Sequence, residues 1–349
     1  MKQGEVVADR YELRKALDGG YYNEVWIAMD LRLERECLLK MPSLPPSSPE
    51  ERDRLTREAR TIASIPNKDH VAEVFDAGDW AGRPFFTQEL LPGGSLAERL
   101  QKCGGKLQAA QFLPVFMDVC SGVLQAHQVG IIHGDLKPEN IVFSAQDSAK
   151  VVDFGTAFRL QAGTPPSHQV MATLPFQSPE HFRPRTYGKL DQRTDIWALG
   201  IIAYLVLTGR HPYEMSEQAS YVDWADAVEA PPSLRHAPAD WAPIISRCLQ
   251  PQKRYRFPAL SDLIAELAVL HRTYASTATA RSRELYKQGV DFFNNGDLRQ
   301  AAHNLQEAAR LNPSPTLLHW VGHVRQALND IPGAREAYQQ ALEIDPTYV

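Results

Sequence analysis

The run His133-Gly134-Asp135-Leu136-Lys137-Pro138-Glu139-Asn140, followed by Asp153-Phe154-Gly155, places a carboxylate, a cation and two hard oxygen donors within one short stretch of chain. Moving a phosphoryl group from a nucleoside triphosphate asks for that set: a base for the attacking hydroxyl, positive charge beside the moving group, and oxygen ligands for a divalent metal. Asp135 suits the base, Lys137 the charge, and Asn140 with Asp153 the metal. Because the transition state is loose and largely dissociative, positioning and electrostatics count for more than covalent help. Either tripeptide alone would be an ordinary polar turn, and it is their order and spacing that point to chemistry.

Other elements must hold these groups in place. Cys37-Leu38-Leu39-Lys40 reads as a short buried strand ending in a lysine, and Glu58 lies in an amphipathic stretch, 50–65, that reads as a helix. A Lys40 to Glu58 ion pair would aim the ammonium at the α and β phosphates. The proline-rich segment 42–49 reads as an extended connection between that strand and helix. Downstream, the run Ala172-Thr173-Leu174-Pro175-Phe176-Gln177-Ser178-Pro179-Glu180 precedes Asp195-Ile196-Trp197-Ala198-Leu199-Gly200. Arg254, in the stretch PQKRYRF, is expected to pair with Glu180.

These motifs, in this order over about residues 9–272, resemble the eukaryotic-type serine/threonine protein kinase family in its bacterial, Hanks-type form. The resemblance implies an α+β, bilobal protein kinase fold over residues 1–272, with a small lobe at about 9–88 and a large lobe at about 91–272. It implies ATP as cofactor with Mg2+, or Mn2+ in its place, and transfer of the γ-phosphate to a hydroxyl of a protein substrate. Catalysis would then rest on Asp135, Lys137, Lys40, Glu58 and Thr173, the threonine bridging Asp135 and Lys137, with Asn140 and Asp153 on the metal. Around the nucleotide would lie Leu17, Gly19, Gly20, Val25, Leu38, Lys40 and Val142. The backbone of Glu89 and Leu91 would meet the adenine edge, and Gln88 falls at the gatekeeper position. Lys137 and Thr173 resemble the serine/threonine branch. Small-molecule phosphotransferases of the aminoglycoside kinase type share the HGD loop, but they usually carry histidine where Lys137 stands and lack the Ser178-Pro179-Glu180 segment.

The chain also departs from the family pattern. Where the glycine-rich loop should read GxGxxGxV, residues 18–25 read DGGYYNEV and keep only the middle motif glycine. Glycines let backbone amides approach phosphates, so a weaker phosphate grip is expected. Leu38 stands where the family usually has alanine over the adenine, which narrows the pocket. These two changes support an alternative reading as a pseudokinase or nucleotide-sensing scaffold, against which stands the complete set of base, lysine and metal ligands. Gly134 replaces the arginine that usually reads a phosphate on the activation loop, where Thr164 and Ser167 are the candidate self-phosphorylation sites.

Beyond a candidate linker at 273–281, following a helix expected at 259–274, residues 282–349 carry an internal repeat. Gly289, Ala301, Leu305, Ala308 and Pro313 recur as Gly322, Ala334, Tyr338, Ala341 and Pro346, each displaced by 33 positions. Small residues at such positions let paired helices approach closely, and the pattern resembles two tetratricopeptide repeats, an all-α helical-repeat domain. The resemblance implies a protein or peptide partner at the repeats, either a substrate or a regulator.

Composition bounds the rest. The 349 residues are 44% hydrophobic with a net charge of -5, enough for two domains and a sizeable core. A pI near 6.1 gives no basic footprint for nucleic acid. Cys37, Cys103, Cys120 and Cys248 lack metal-ligand spacing and are expected as buried free thiols in a reducing compartment. The start, MKQGEVVADR, has no apolar core for a signal peptide, and the apolar run at 196–207 falls short of the ~20 residues of a membrane span. A cytoplasmic protein without a membrane anchor is the expectation.

With glycine at position 134, phosphate on the activation loop has lost its usual bidentate partner. Phosphatase-treated protein, checked by mass spectrometry, should therefore transfer phosphate as fast as the loop-phosphorylated form. A treated protein that is inert until the loop is phosphorylated again would contradict this.

Overall fold

A computed structural model of the chain describes residues 1–17, 23–155, 157–159, 171–216 and 218–347. Gly19, Gly20, Thr164, Ser167 and the side chain of Thr173 lie outside the described residues. The chain divides into two compact units, Met1–Leu267 and Ala268–Val349.

The first unit opens with strands β1 (Val6–Val7), β2 (Tyr11–Leu17), β3 (Asn23–Asp30) and β4 (Arg35–Pro42), helix α1 (Pro49–Ala63), and strands β5 (Val74–Trp80) and β6 (Arg83–Gln88). The strands form one antiparallel sheet in the order β1-β2-β3-β4-β6-β5. Alternation along the strands decides the faces. Trp26 and Ala28 on β3, and Cys37, Leu39 and Met41 on β4, are buried with Tyr11, Leu13 and Phe85 in one core. The opposite face pairs Val25 with Lys40 and Ile27 with Leu38 across the two strands. Helix α1 turns Leu55, Ala59 and Ile62 inward at helical spacing, and Leu55 and Ala59 pack with Phe86 and Val74. Glu58 is buried beside Ala59 on that helix.

The rest of the unit is mostly helical. It contains α2 (Leu96–Lys102), α3 (Ala109–Gln128), the short strands β7 (Ile131–Ile132), β8 (Ile141–Phe143), β9 (Ala149–Val151) and β10 (Phe158–Arg159), then α4 (Pro179–Phe182), α5 (Pro184–Tyr187), α6 (Arg193–Thr208), α7 (Tyr221–Ala227) and α8 (Ala242–Cys248). β8 and β9 form an antiparallel hairpin with Ile141 opposite Val151. Helix α6 is buried on nearly every side from Thr194 to Leu207. Among the described residues, α3 is the one helix long and apolar enough, by length and composition, to cross a membrane. Here its Phe112 and Phe116 pack on Trp241, with ring centroids 5.6 and 5.7 Å away. Cys37, Cys120 and Cys248 are buried free thiols, but Cys103 is exposed because it terminates the short helix α2.

Two further expectations are corrected. The partner of Glu180 is Arg256, and Arg254 is exposed. A 3-10 turn at Lys253–Tyr255 leaves Arg254 and Tyr255 facing solvent and brings Arg256 inward beside Phe257. Both side chains of the Arg256 and Glu180 pair are fully buried, with Nη1 to Oε1 at 2.7 Å and Nη2 to Oε2 at 2.8 Å. The remaining guanidinium donors reach the carbonyls of Gln250, Arg193 and Pro251 at 2.8, 3.0 and 3.1 Å. Burial alone would push the Glu180 carboxyl up, but Arg256 outweighs burial and holds it below its ordinary value.

Nor is the segment 273–281 a linker, because helix α9 runs unbroken over Leu260–Asn294. No glycine or proline interrupts 273–281, and its threonines fit a helix by bonding back one turn. Thr277 Oγ1 donates to Thr273 O at 2.9 Å, and Thr273 Oγ1 to Val269 O at 3.1 Å.

The second unit comprises the C-terminal part of α9 with α10 (Leu298–Leu311), α11 (Pro315–Ala327) and α12 (Ile331–Ile344). Asp297 and Asp330, 33 positions apart, each cap a helix by accepting the N–H of Gln300 and of Gly333 respectively. A Cβ at Gly289 would lie 2.6 Å from Leu305 Cγ, and one at Gly322 would lie 2.5 Å from Tyr338 Cε1. The matched glycines thus face the matched large residues.

Removing the partner of a fully buried carboxylate leaves an uncompensated charge, so Arg256→Met should lose about 3–5 kcal/mol of stability. Arg254→Met should change it by no more than ~0.5 kcal/mol. Urea unfolding of both variants at pH 7 checks this, and equal effects would undo the assignment.

Candidate active site

The stretch 133–140 is shaped by Asp195, in the first turn of α6, whose side chain is 1% exposed. Its carboxylate accepts the N–H groups of His133 and Gly134, each at 2.9 Å, and faces His127 Nε2 at 2.7 Å. Burial would raise this carboxyl, but the His127 hydrogen bond and charge lead the effects that hold it below its ordinary value. Gly134 has φ of +77°, in the left-handed region that glycine enters without strain. His133 then spans the site: its Nδ1 accepts the Asp135 N–H at 3.3 Å, and its Nε2 donates to Val152 O at 3.0 Å. That pair of contacts places a ring proton on Nε2.

The loop presents its groups together. Lys137 Nζ lies 3.1 Å from Asp135 Oδ2, with side chains 22% and 16% exposed, so both are reachable from solvent yet partly shielded from it. Asn140 Nδ2 donates to Asp135 O at 2.8 Å, which directs the amide nitrogen into the loop and leaves Oδ1, an acceptor, as the oxygen that could ligate a metal. The backbone N–H of Val152 bonds Asn140 O at 3.0 Å, so Asp153 is held one residue from this loop.

Asp153 itself sits at φ of +62°, a sparsely populated conformation for a residue with a side chain. Lys40 Nζ reaches its Oδ1 at 3.1 Å and Glu58 Oε1 at 2.8 Å. Burial would lower the lysine, but Glu58 and then Asp153 outweigh it, and the ammonium is held above its ordinary value. For Asp153 burial would raise the carboxyl, and the Lys40 charge overrides this to bring it down to about 2. Glu58 is raised, with burial the leading cause despite Lys40.

The structure therefore assembles Lys40, Glu58 and Asp153 as one group, and Asp135, Lys137 and Asn140 as another. The expected apolar walls Leu17, Val25 and Val142 are all half-buried, as are Leu38, expected over the adenine, and Glu89 and Leu91, whose backbone is expected at its edge. Leu17 pairs with Val25 across strands, and Leu38 pairs with Gln88. Gly19, Gly20 and the Thr173 side chain, outside the described residues, are not placed. Sequence reasoning passed over His127 and the role of the Asp195 carboxylate. The signal was faint: a carboxylate entering a run of apolar residues must be buried, and it then needs donors.

Among the described residues no three His, Cys, Asp or Glu side chains gather into a metal cage. The donor set instead fits a hard divalent cation held by few protein oxygens and completed by phosphate and water. Asn140 and Asp153 are the residues whose oxygens would hold it.

The family model described as the protein kinase domain matches residues 11–266. The probable serine/threonine-protein kinase CE0033 of Corynebacterium efficiens is 30% identical over 290 residues, covering 78% of this chain and 43% of that protein. The serine/threonine-protein kinase PknB of Mycobacterium tuberculosis is 32% identical over 277 residues, covering 76% and 43%. PknB of Mycobacterium leprae is 30% identical over 276 residues, with the same coverage of 76% and 43%. The chain thus spans less than half the length of these relatives.

Replacing Lys40 by methionine leaves two carboxylates facing each other, of which Glu58 is 4% exposed and Asp153, at 44%, is better screened. The variant should lose about 2–3 kcal/mol at pH 7, most of it from Glu58. The wild-type Asp153 carboxyl is depressed, so its contribution is present above its unfolded value and is lost as pH falls towards about 2. In the variant both carboxyls are raised, so its deficit shrinks as pH drops towards 4 or so. Urea unfolding at the two pH values reads the difference, and a deficit that grows on acidification would contradict it.

Proposed function

Because the chain belongs to the protein kinase domain family, we propose that it transfers the γ-phosphate of ATP to a serine or threonine hydroxyl of a protein substrate. The single observation that carries this reading is the joint assembly of Lys40 with Glu58 and Asp153, and of Asp135 with Lys137, at distances of 2.8–3.1 Å. Asp135 orients the acceptor hydroxyl and takes its proton. Lys137 lies beside that carboxylate, where it offsets charge on the moving phosphoryl group. Lys40, kept protonated by its two carboxylates, grips the α and β phosphates. Asn140 and Asp153 would hold Mg2+, which when bound would supply neutralisation of the phosphate charge. Leu38 beside Gln88 favours a tight adenine site.

For the second unit we propose tetratricopeptide-like repeats that recruit a protein substrate or regulator. The 33-residue displacement of caps and glycines supports it, as does a groove of about 500 Å³ lined by Leu318, Val321, Ala337, Arg325 and Glu336 among others.

Magnesium-dependent transfer of labelled phosphate from ATP to the protein itself and to a generic serine/threonine substrate tests the activity. Asp135→Asn and Lys40→Met should each reduce transfer by at least ~100-fold. No transfer by the wild type, together with no thermal shift on adding ATP, would replace the enzyme with a scaffold acting through its repeats.

A further inference from the structure

Lys150, on β9, uses its side chain to join segments far apart in the chain. Its Nζ donates to Glu89 Oε2 at 2.8 Å and to Lys68 O at 3.0 Å. Glu89 follows β6, where its own N–H bonds Glu73 O at 2.8 Å. Lys68 lies in the loop after α1, the helix that carries Glu58. Farther along, that loop is laced to β9 by backbone bonds: Val151 N–H to His70 O at 2.9 Å and Ala72 N–H to Val151 O at 3.2 Å. Two residues beyond β9 comes Asp153. Lys150 thus ties the side chain of Glu89, whose backbone is the proposed adenine edge, to the loop that follows the Glu58 helix, from a strand that leads within two residues to Asp153.

The pair is partly withdrawn from water, with Lys150 13% and Glu89 26% exposed, so it is screened less than an ordinary surface pair. Its backbone surroundings hold β9 to the loop after α1, while the Lys150 ammonium extends that hold to Glu89. We propose that Lys150 is a positioning residue, a latch that keeps the adenine-edge segment and the Asp153 segment at one mutual spacing for a nucleotide that must touch both. Nucleotide binding then pays less ordering cost, because the two halves of the site are already registered. The latch is closed in the same structure in which Lys40 meets both Glu58 and Asp153, so it accompanies the assembled site rather than restraining it. This inference rests on the nucleotide site of the proposed function, and its primary readout is affinity rather than turnover.

The test uses the full chain as wild type, Lys150→Met, Lys150→Arg, Glu89→Gln and the Lys150→Met/Glu89→Gln double variant. Isothermal calorimetry with Mg·ATP gives affinity, and initial rates give KM and kcat. Lys150→Met and Glu89→Gln should each weaken Mg·ATP binding about tenfold, and the double variant no further, since both remove the same ion pair. KM for ATP should rise in parallel with kcat changed far less, and Lys150→Arg should restore most of the affinity. Unchanged affinity in both single variants, additive losses in the double, or faster phosphate transfer by Lys150→Met would each overturn the latch. If Lys150→Met does not fold, Glu89→Gln, which keeps the Glu89 backbone bond, decides alone by the same criterion. A wild type that binds nucleotide without transferring phosphate removes the proposed activity and leaves the latch to be judged on affinity; a wild type that binds none overturns both.

Discussion

A carboxylate buried in the mostly helical part of the first unit must find donors, and the way Asp195 finds them shapes the loop that carries Asp135 and Lys137. Its two oxygens take the backbone N–H groups of His133 and Gly134 and the imidazole of His127, which bends the chain so that Asp135 and Lys137 emerge together. An unpaired charge at such depth would cost several kcal/mol. The loop is therefore determined less by its own turn propensity than by a side chain about 60 residues downstream. His133 and Asn140 then pass this geometry on, one bonding Val152 O and the other the Asp135 carbonyl.

Where the sheet meets the helical part, charge plays the corresponding role. Lys40 is held on β4 by strand alternation, Glu58 on α1 by helical periodicity, and Asp153 beyond β9 by a strained backbone. A left-handed non-glycine residue costs about 1–3 kcal/mol, so it persists only where its surroundings over-determine it. The Lys40 contact and the bonds of Val152 on either side of the loop supply that constraint. The same ion contacts that keep Lys40 protonated also keep Asp153 ionised, the state in which a carboxylate can serve a metal.

Helix α9 illustrates how composition can mislead. A stretch of small and hydroxyl residues suggests a flexible connection, but alanine favours a helix and threonine tolerates one when its hydroxyl bonds the preceding turn. The repeat beyond it rests on shape: glycine opposite leucine in one helix pair and glycine opposite tyrosine in the next, with an aspartate cap before each second helix.

Much of the chemistry was legible in the order of residues alone, because Asp135, Lys137, Asn140 and Asp153 lie close in the chain and their types restrict what they can do. Lys40 and Glu58 were legible from periodicity, which places Glu58 on the inward face of α1 and Lys40 on the face of β4 opposite its core residues. What the sequence could not determine was choice among near equivalents. Arg254 and Arg256 are two positions apart in a polar run, and only a 3-10 turn decides which one enters the core. Likewise nothing local marks Asp195 as the anchor of His133 and Gly134, or Lys150 as the partner of Glu89. Those pairings span 61 or 62 residues of chain and exist only once packing has excluded water from one side of each group. The sequence by itself determined which groups are present and which face each occupies; the tertiary structure decided which of them meet, because partner choice for a buried charge depends on what else is left within reach.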